Sequence, residues 1–288
     1  MTEQAQRLTL GVAQFAMHDG ADCAPKNIAR AVEHVRAAHA LGAQVVLLPE
    51  LFSGPYFPRE MDKKFFSLAH PLAEDPAVRA LSELARELKV VLPVSFFERD
   101  GERYFNSLVT LDADGKSLGV YRKTHIPDGT GYEEKFYFAP GDTGFKVWST
   151  RYGKLGVGIC WDQWFPECAR AMTLLGADVL LYPTAIGSEP VTARDTAAPW
   201  RRAMVGHAVS NTIHVAAANR VGSEGGQLFY GTSFIADPWG EILGELSRSE
   251  QGVLVQTLDL DAARKDRDWM GLLKDRVPAA YGELIKPR

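Results

Sequence analysis

The stretch "LGAQVVLLPE" (residues 41–50) returns as "LGADVLLYPT" (residues 175–184), displaced by 134 positions, and this echo decides the fold. Each copy is a short apolar run rich in branched residues and closed by a proline, the pattern of a strand buried on both faces. Working outward, a helix-period segment precedes each copy, "NIARAVEHVRAAHA" (27–40) and "PECARAMTL" (166–174). A strand precedes each helix in turn, "TLGVAQF" (9–15) and "KLGVGIC" (154–160). Downstream, "VVLPVSFF" (90–97) corresponds to "IHVAAANR" (213–220). "NSLVTLDADGKSLG" (106–119) likewise corresponds to "TSFIADPWGEILG" (232–244), each a strand, a Gly-containing turn and a strand.

Strands separated by helices pair in parallel, and the terminal hairpins add antiparallel edges, so each half predicts a mixed sheet with helices on one face. The two uncovered faces then bury each other. The expected architecture is α/β, a four-layer α-β-β-α sandwich of two mixed sheets with an internal pseudo-two-fold repeat. No Gly/Ser/Pro-rich linker parts the halves, so residues 1–288 are expected to form one domain. The tail 262–288 carries Trp269, Met270, Leu272, Leu273 and Tyr281 among its charges. It is expected to pack at a subunit interface of a homodimer or higher homo-oligomer.

The net charge of −4 is interspersed along the chain, with no basic stripe for nucleic acid or an anionic membrane. No apolar run is long enough to span a bilayer, and the N-terminus lacks the layout of a signal peptide, so a cytoplasmic location is expected. The three cysteines, Cys23, Cys160 and Cys168, fit a reducing compartment. Without C-x-x-C or a His/Cys cluster of zinc spacing, neither a metal nor another cofactor is expected.

Chemistry collects at the strand ends, where ligands bind in parallel α/β sheets. Glu50 closes the first echo, whereas its counterpart in the second is Thr184, so the scaffold itself does not require an acid there. Cys160 ends "GVGIC", where its counterpart is Phe15. Taken alone it reads as a core plug or as a nucleophile. The helix after it would favour the thiolate. Lys123 follows "SLGVYRK" and opens the polar loop "THIPDGTGYEEKFYFAPGD". A thiol, a carboxylate and an ammonium on strand ends facing one cleft supply a nucleophile, a base and a cation for a developing oxyanion. None of the seven histidines, His125 beyond Lys123 included, forms a Cys–His pair with Cys160 that is visible from spacing.

"LLPELF" with Glu50, "YRKTH" with Lys123 and "GICWD" with Cys160 resemble the three motifs of the nitrilase superfamily, the carbon–nitrogen hydrolases. The resemblance runs over nearly the whole chain. It implies the four-layer sandwich, assembly through dimers, and a triad with Cys160 as nucleophile, Glu50 as general base and Lys123 polarising the oxyanion. It also implies a second glutamate in "GYEEKFYFAPGD", matched best by Glu134. The implied reaction is hydrolysis of a carbon–nitrogen bond through a Cys thioester, with the backbone N–H of Trp161 helping to hold the tetrahedral anion.

The loops "HIPDGTGYEEKFYFAPGDTGFKVW", "YPTAIGSEP" and "WRRAMVGHAVSN" resemble the branch of that superfamily acting on a carbamoylated diamine. The expected partner is therefore a small-molecule carbamoylated amine. Its distal ammonium would meet Glu189 or Asp128. Trp161, Tyr132, Phe136 and Trp200 are candidates to line its aliphatic middle. "VTARDTAAPWRR" (191–202) departs from the branch, which leaves other carbamoyl amines, carbamoyl β-amino acids and ω-amides open. Arg194, Arg201 or Arg202 would serve an acidic substrate. A silent scaffold of the same fold has no use for Glu50, Lys123 and Cys160 together, and a redox sensor lacks an obvious resolving cysteine.

Overall fold

The structure is a computed structural model that describes residues 6–20, 22–188, 192 and 194–287. The first half runs β1 (Arg7–Gln14), α1 (Cys23–Ala40), β2 (Val45–Leu47), α2 (Pro76–Leu88), β3 (Leu92–Asp100), β4 (Arg103–Leu111) and β5 (Ser117–Arg122). A one-turn helix α3 (Glu134–Tyr137) leads to β6 (Val147–Thr150), β7 (Gly153–Val157), α4 (Pro166–Leu174), β8 (Val179–Thr184), α5 (Ala197–Asn211) and β9 (His214–Asn219). The hairpin β10 (Val221–Glu224) and β11 (Gln227–Tyr230) follows, then β12 (Phe234–Ala236), β13 (Ile242–Glu245), β14 (Gly252–Asp259) and α6 (Leu260–Met270).

The repeat read from sequence is present in the pairing. One sheet has the order β6-β7-β8-β9-β12-β13. The other consists of the ladders β14-β1-β2 and β3-β4-β5, joined by a parallel bridge between Val45 and Val91. In both, three consecutive strands are parallel (β1-β2-β3 and β7-β8-β9), while β14 beside β1 and β6 beside β7 run antiparallel to them. The chain supplies that antiparallel strand differently in the two sheets. In the second it is β6, just before β7. In the first it is β14, which pairs along the whole of β1 from Arg7–Asp259 to Gln14–Gly252. The C-terminal end of the fold thereby completes the N-terminal sheet.

Alternation along the strands sorts side chains into three cores, and so into four layers. Leu8, Leu10, Val12, Val45 and Leu47 face Leu155, Val157, Val179, Leu181 and Ala216 between the sheets. Phe15, Val46 and Val94 pack under Val35, Ala38, Leu81 and Leu84 of α1 and α2. Leu180, Tyr182 and Val215 pack under Met172, Trp200 and Met204 of α4 and α5. Two equivalent glycines set the spacing between helix and sheet. A Cβ on Gly11 would lie 3.0 Å from the Ala38 Cβ and 3.1 Å from the Ala43 Cβ; one on Gly156 would lie 3.0 Å from the Met172 Cβ and 3.2 Å from the Ala177 Cβ. Ala38 and Ala43 correspond to Met172 and Ala177 in the repeat, so both halves use the same close approach.

Two substitutions test this packing with opposite signs. Gly156→Val overfills a site whose Cβ neighbours cannot rotate away, and is expected to lower stability by about 1–3 kcal/mol. Gly206→Ala, exposed on α5 with nothing within 4 Å, is expected to raise it by about 0.4–1 kcal/mol. Urea denaturation of both variants measures the difference.

Candidate active site

Three strand ends converge at the seam between the sheets. Beyond β2, Pro49 has no N–H to extend the ladder, and the Glu50 N–H donates to Thr184 O at 3.3 Å. The two symmetric positions thus touch. Leu51 turns into the left-handed region, φ 47°, and its N–H donates to Ser95 Oγ at 3.0 Å. Lys123 follows β5, with its N–H on Asn106 O at 2.8 Å. The loop after it returns at Gly141, where a Cβ would fall 2.0 Å from Arg122 O; only a residue without a side chain permits that return, and the loop carries Glu134 inward.

Glu50, Lys123 and Glu134 are all wholly buried. Lys123 Nζ donates to Glu50 Oε1 at 2.9 Å and to Glu134 Oε2 at 2.7 Å. Asn106 Nδ2 also donates to Glu50 Oε1, at 2.7 Å, and the Tyr56 hydroxyl to Glu134 Oε1, at 2.7 Å. Glu50 Oε2 is buried without a partner. It is the atom of this carboxylate left to receive a proton.

Cys160 ends the β7 segment in a left-handed conformation, φ 42°, and opens a 3-10 turn, Cys160–Trp164. The first bond of that turn runs from Asp162 N to Ile159 O, so the N–H groups of Cys160 and Trp161 stay outside it. Asp162 braces the turn: it accepts from Ile159 N at 2.9 Å, the Tyr121 hydroxyl at 2.8 Å, and His125 N and Nδ1 at 3.0 and 2.7 Å. His125 is engaged by Asp162 rather than by Cys160 and stacks on Phe165 with ring centroids 3.6 Å apart.

One lysine and two carboxylates out of water favour a retained proton. Burial lifts the Glu134 carboxyl to about 7 against the pull of Lys123, and the charge of Glu50 adds to the rise. Burial alone would lower the Lys123 ammonium, but Glu134 and Glu50 outweigh it and hold the ammonium above its ordinary range. The thiol corrects an expectation. Burial, and then Glu50, push Cys160 well above the ordinary thiol range, although Lys123 and the Ala185 N–H oppose them. No thiolate results from the helix, because α4 begins only at Pro166, after the intervening turn. The resting group is a thiol that needs a base.

The structure places the other candidates unevenly. Tyr132 packs edge-on to Tyr56, centroids 5.8 Å apart, and its hydroxyl accepts from Gly187 N at 3.0 Å. Trp161 is 37% exposed and lines a groove of about 480 Å³ with His125, Lys135 and Phe165. Asp128 is exposed on the loop. Glu189 lies outside the described residues. Trp200 is wholly buried against Tyr230 and Phe234, and Phe136 joins Phe66 and Tyr137; both serve packing. Arg201 is paired with Glu245.

Five residues of the site escape a reading by strand ends: Tyr56, Asn106, Asp162, Arg220 and Glu224. Arg220 is wholly buried. Its Nη2 donates to Glu50 O at 2.7 Å and Leu51 O at 3.1 Å, while its Nη1 meets both oxygens of Glu224 at 2.8 Å. Glu224 also accepts the Tyr56 N–H at 2.7 Å. The four-residue spacing of Arg220 and Glu224 was a signal available in sequence, but nothing local shows that the pair is buried.

Comparisons with known proteins show what the chain is similar to. The family model described as carbon-nitrogen hydrolase matches residues 9–268. The chain is 49% identical to the N-carbamoylputrescine amidase of Solanum tuberosum, over 99% of this chain and 97% of that protein. It is 45% identical to the citrullinase of Francisella tularensis, over 97% and 98%. The crystal structure of a carbon-nitrogen hydrolase from Helicobacter pylori superimposes with a TM-score of 0.90 at 37% identity, covering 97% of this chain and 99% of that one.

The raised Glu134 carboxyl has a consequence for stability. Between the usual 4.5 and about 7 the folded chain keeps a proton that the unfolded chain releases. Stability therefore falls as pH rises through that window. In Glu134→Gln this component of the fall is expected to disappear, as urea midpoints between about pH 5 and 8 will show.

Proposed function

The chain belongs to the carbon–nitrogen hydrolase family, and from that premise we propose that it hydrolyses N-carbamoylputrescine to putrescine, carbon dioxide and ammonia. The observation that carries the reading is the buried Lys123 shared by Glu50 and Glu134 beside a thiol that must be deprotonated to react. The near full-length likeness to the potato amidase supports the choice of substrate.

In this reading Glu50 Oε2 takes the thiol proton as Cys160 Sγ attacks the ureido carbonyl. Lys123 and the Trp161 N–H stabilise the tetrahedral anion. The departing nitrogen takes a proton from the Glu50–Glu134 pair and leaves a carbonyl thioester on Cys160. Water, deprotonated by Glu50, then cleaves the thioester; the second nitrogen and carbon dioxide part when the carbamate collapses. The ammonium at the far end of the diamine would meet Glu189 or Asp128, and Tyr132 and Trp161 would flank its methylenes.

A second reading, with citrulline as substrate, is favoured by the likeness to the Francisella protein. Both compounds present a ureido group on an aliphatic chain bearing an ammonium, and citrulline adds a carboxylate that calls for a cation. Arg201 is engaged by Glu245, which supports the diamine.

A homodimer or higher homo-oligomer in the cytoplasm completes the proposal. The exposed Trp269, Leu284 and Ile285 of the C-terminal segment support a subunit contact there, and the three free cysteines support a reducing compartment.

Ammonia release from N-carbamoylputrescine, citrulline, a carbamoyl β-amino acid and an ω-amide will decide the substrate. The carbamoylated diamine is expected to give the highest kcat/KM, and preference for citrulline would replace the first reading by the second. Cys160→Ala is expected to be folded and inactive on every compound. Cys23→Ala and Cys168→Ala are expected to keep turnover, and substantial activity in Cys160→Ala would remove it as nucleophile.

A further inference from the structure

We propose that the buried Arg220–Glu224 pair is a positioning device that holds both carboxylates of the site in register with Cys160. Geometry carries the assignment. Arg220 spans two successive carbonyls, those of Glu50 and Leu51, at the point where the chain is forced into the left-handed region. Such a conformation is costly for a non-glycine residue and persists only where its surroundings over-determine it. Glu224 chelates the same guanidinium and also holds the Tyr56 N–H, and the Tyr56 ring carries the hydroxyl that donates to Glu134. One ion pair thus fixes Glu50 through its main chain and Glu134 through Tyr56. The Arg220 guanidinium lies 5.7 Å from the Tyr56 ring and 5.3 Å from that of Phe229, which leaves it little room to shift.

Two further observations separate this role from fold maintenance. Glu224 lies on β10, in the hairpin β10–β11 that interrupts the repeat. The first half passes from β3 to β4 through a tight turn at residues 101–102, and its sheet has the same strand order without such an insertion. A buried ion pair is also a poor source of stability, since desolvation offsets most of the Coulomb attraction.

The inference rests on Glu50 and Glu134 serving Cys160 as proposed above, so its test includes a readout independent of the amide. Arg220→Lys keeps the charge but cannot bridge two carbonyls and a carboxylate with one ammonium. Glu224→Asp keeps the charge but draws it back from Tyr56. In each, kcat is expected to fall about tenfold or more while KM stays within about twofold, because a shift near 1 Å at the base weakens catalysis without touching substrate. Alkylation of Cys160 by iodoacetamide, followed by mass spectrometry of the Cys160 peptide, is expected to slow by a similar factor, with a changed pH profile. Should one variant fail to fold, the other carries the same expectation. Native kcat and a native alkylation profile in a folded variant would overturn the proposal, even if its melting temperature fell. In parallel, Glu50→Gln that alkylates like the native protein would overturn Glu50 as base, and the role of the pair with it. Alkylation that depends on Glu50 but gives no turnover of N-carbamoylputrescine would leave the pair supported and replace only the substrate.

Discussion

A lysine held between two glutamates, all three out of contact with water, is the interaction on which the rest of the site depends. Removing such charges from water is expensive, and it is tolerated only where partners satisfy them from several directions. Here those partners come from distant parts of the chain: Asn106 on β4 and Tyr56 after β2. The cluster forms only if the first sheet closes and the loop after β5 folds back at Gly141. A proton retained by Glu134 lowers the net charge left inside. Because the thiol is pushed up rather than down, the proposed reaction needs a base beside Cys160.

The duplicated scaffold explains how so costly an arrangement sits in an otherwise ordinary core. Two sheets of equal strand order bury one face against each other, and their parallel strands end at a common seam. Equivalent positions there have diverged: Glu50 faces Thr184 across a hydrogen bond, and Cys160 stands where the first half has Phe15. Packing asks only for a hydrophobe or a small polar group at these places, so the departures from the repeat mark the chemistry. The hairpin β10–β11 is a larger departure of the same kind, since it brings Glu224 to the buried Arg220 that holds the Glu50 carbonyl.

Part of the backbone strain falls at the same place, although Lys89, Thr212 and Thr232 also have positive φ. Leu51 and Cys160, next to or within the reacting set, both have positive φ without the freedom of glycine. Each is held by buried polar groups. Arg220 and Ser95 engage the Leu51 peptide, and Asp162 engages the Ile159 N–H directly before Cys160. Support of this kind reaches the proposed base and the proposed nucleophile through their main chain, while the apolar layers around them supply stability.

Much of the architecture was legible in the chain because it rests on local periodicity and on self-similarity. The echo of residues 41–50 in 175–184 gives the strand–helix–strand unit, and the sheet faces that its helices leave uncovered give the layers. Glu50 and Cys160 were legible as strand-end exceptions within that repeat, Lys123 as a cation after a strand that opens a polar loop, and Glu134 through its motif. What only the tertiary structure decided depends on groups remote in sequence meeting in space. The pairing of β14 with β1 has no counterpart in the echo, since the second sheet takes its equivalent strand from elsewhere in chain order. The raised thiol reflects burial and neighbouring carboxylates, and neither is a property of "GICWD" alone. Trp200 and Phe136 have the composition of pocket walls, yet they lie in packed clusters because helix and loop placement, rather than residue type, sets which way a ring faces. Arg220 and Glu224 look like a solvated surface pair in sequence. Their burial against the Glu50 carbonyl follows from a hairpin docking on the seam, a long-range contact that no local pattern encodes.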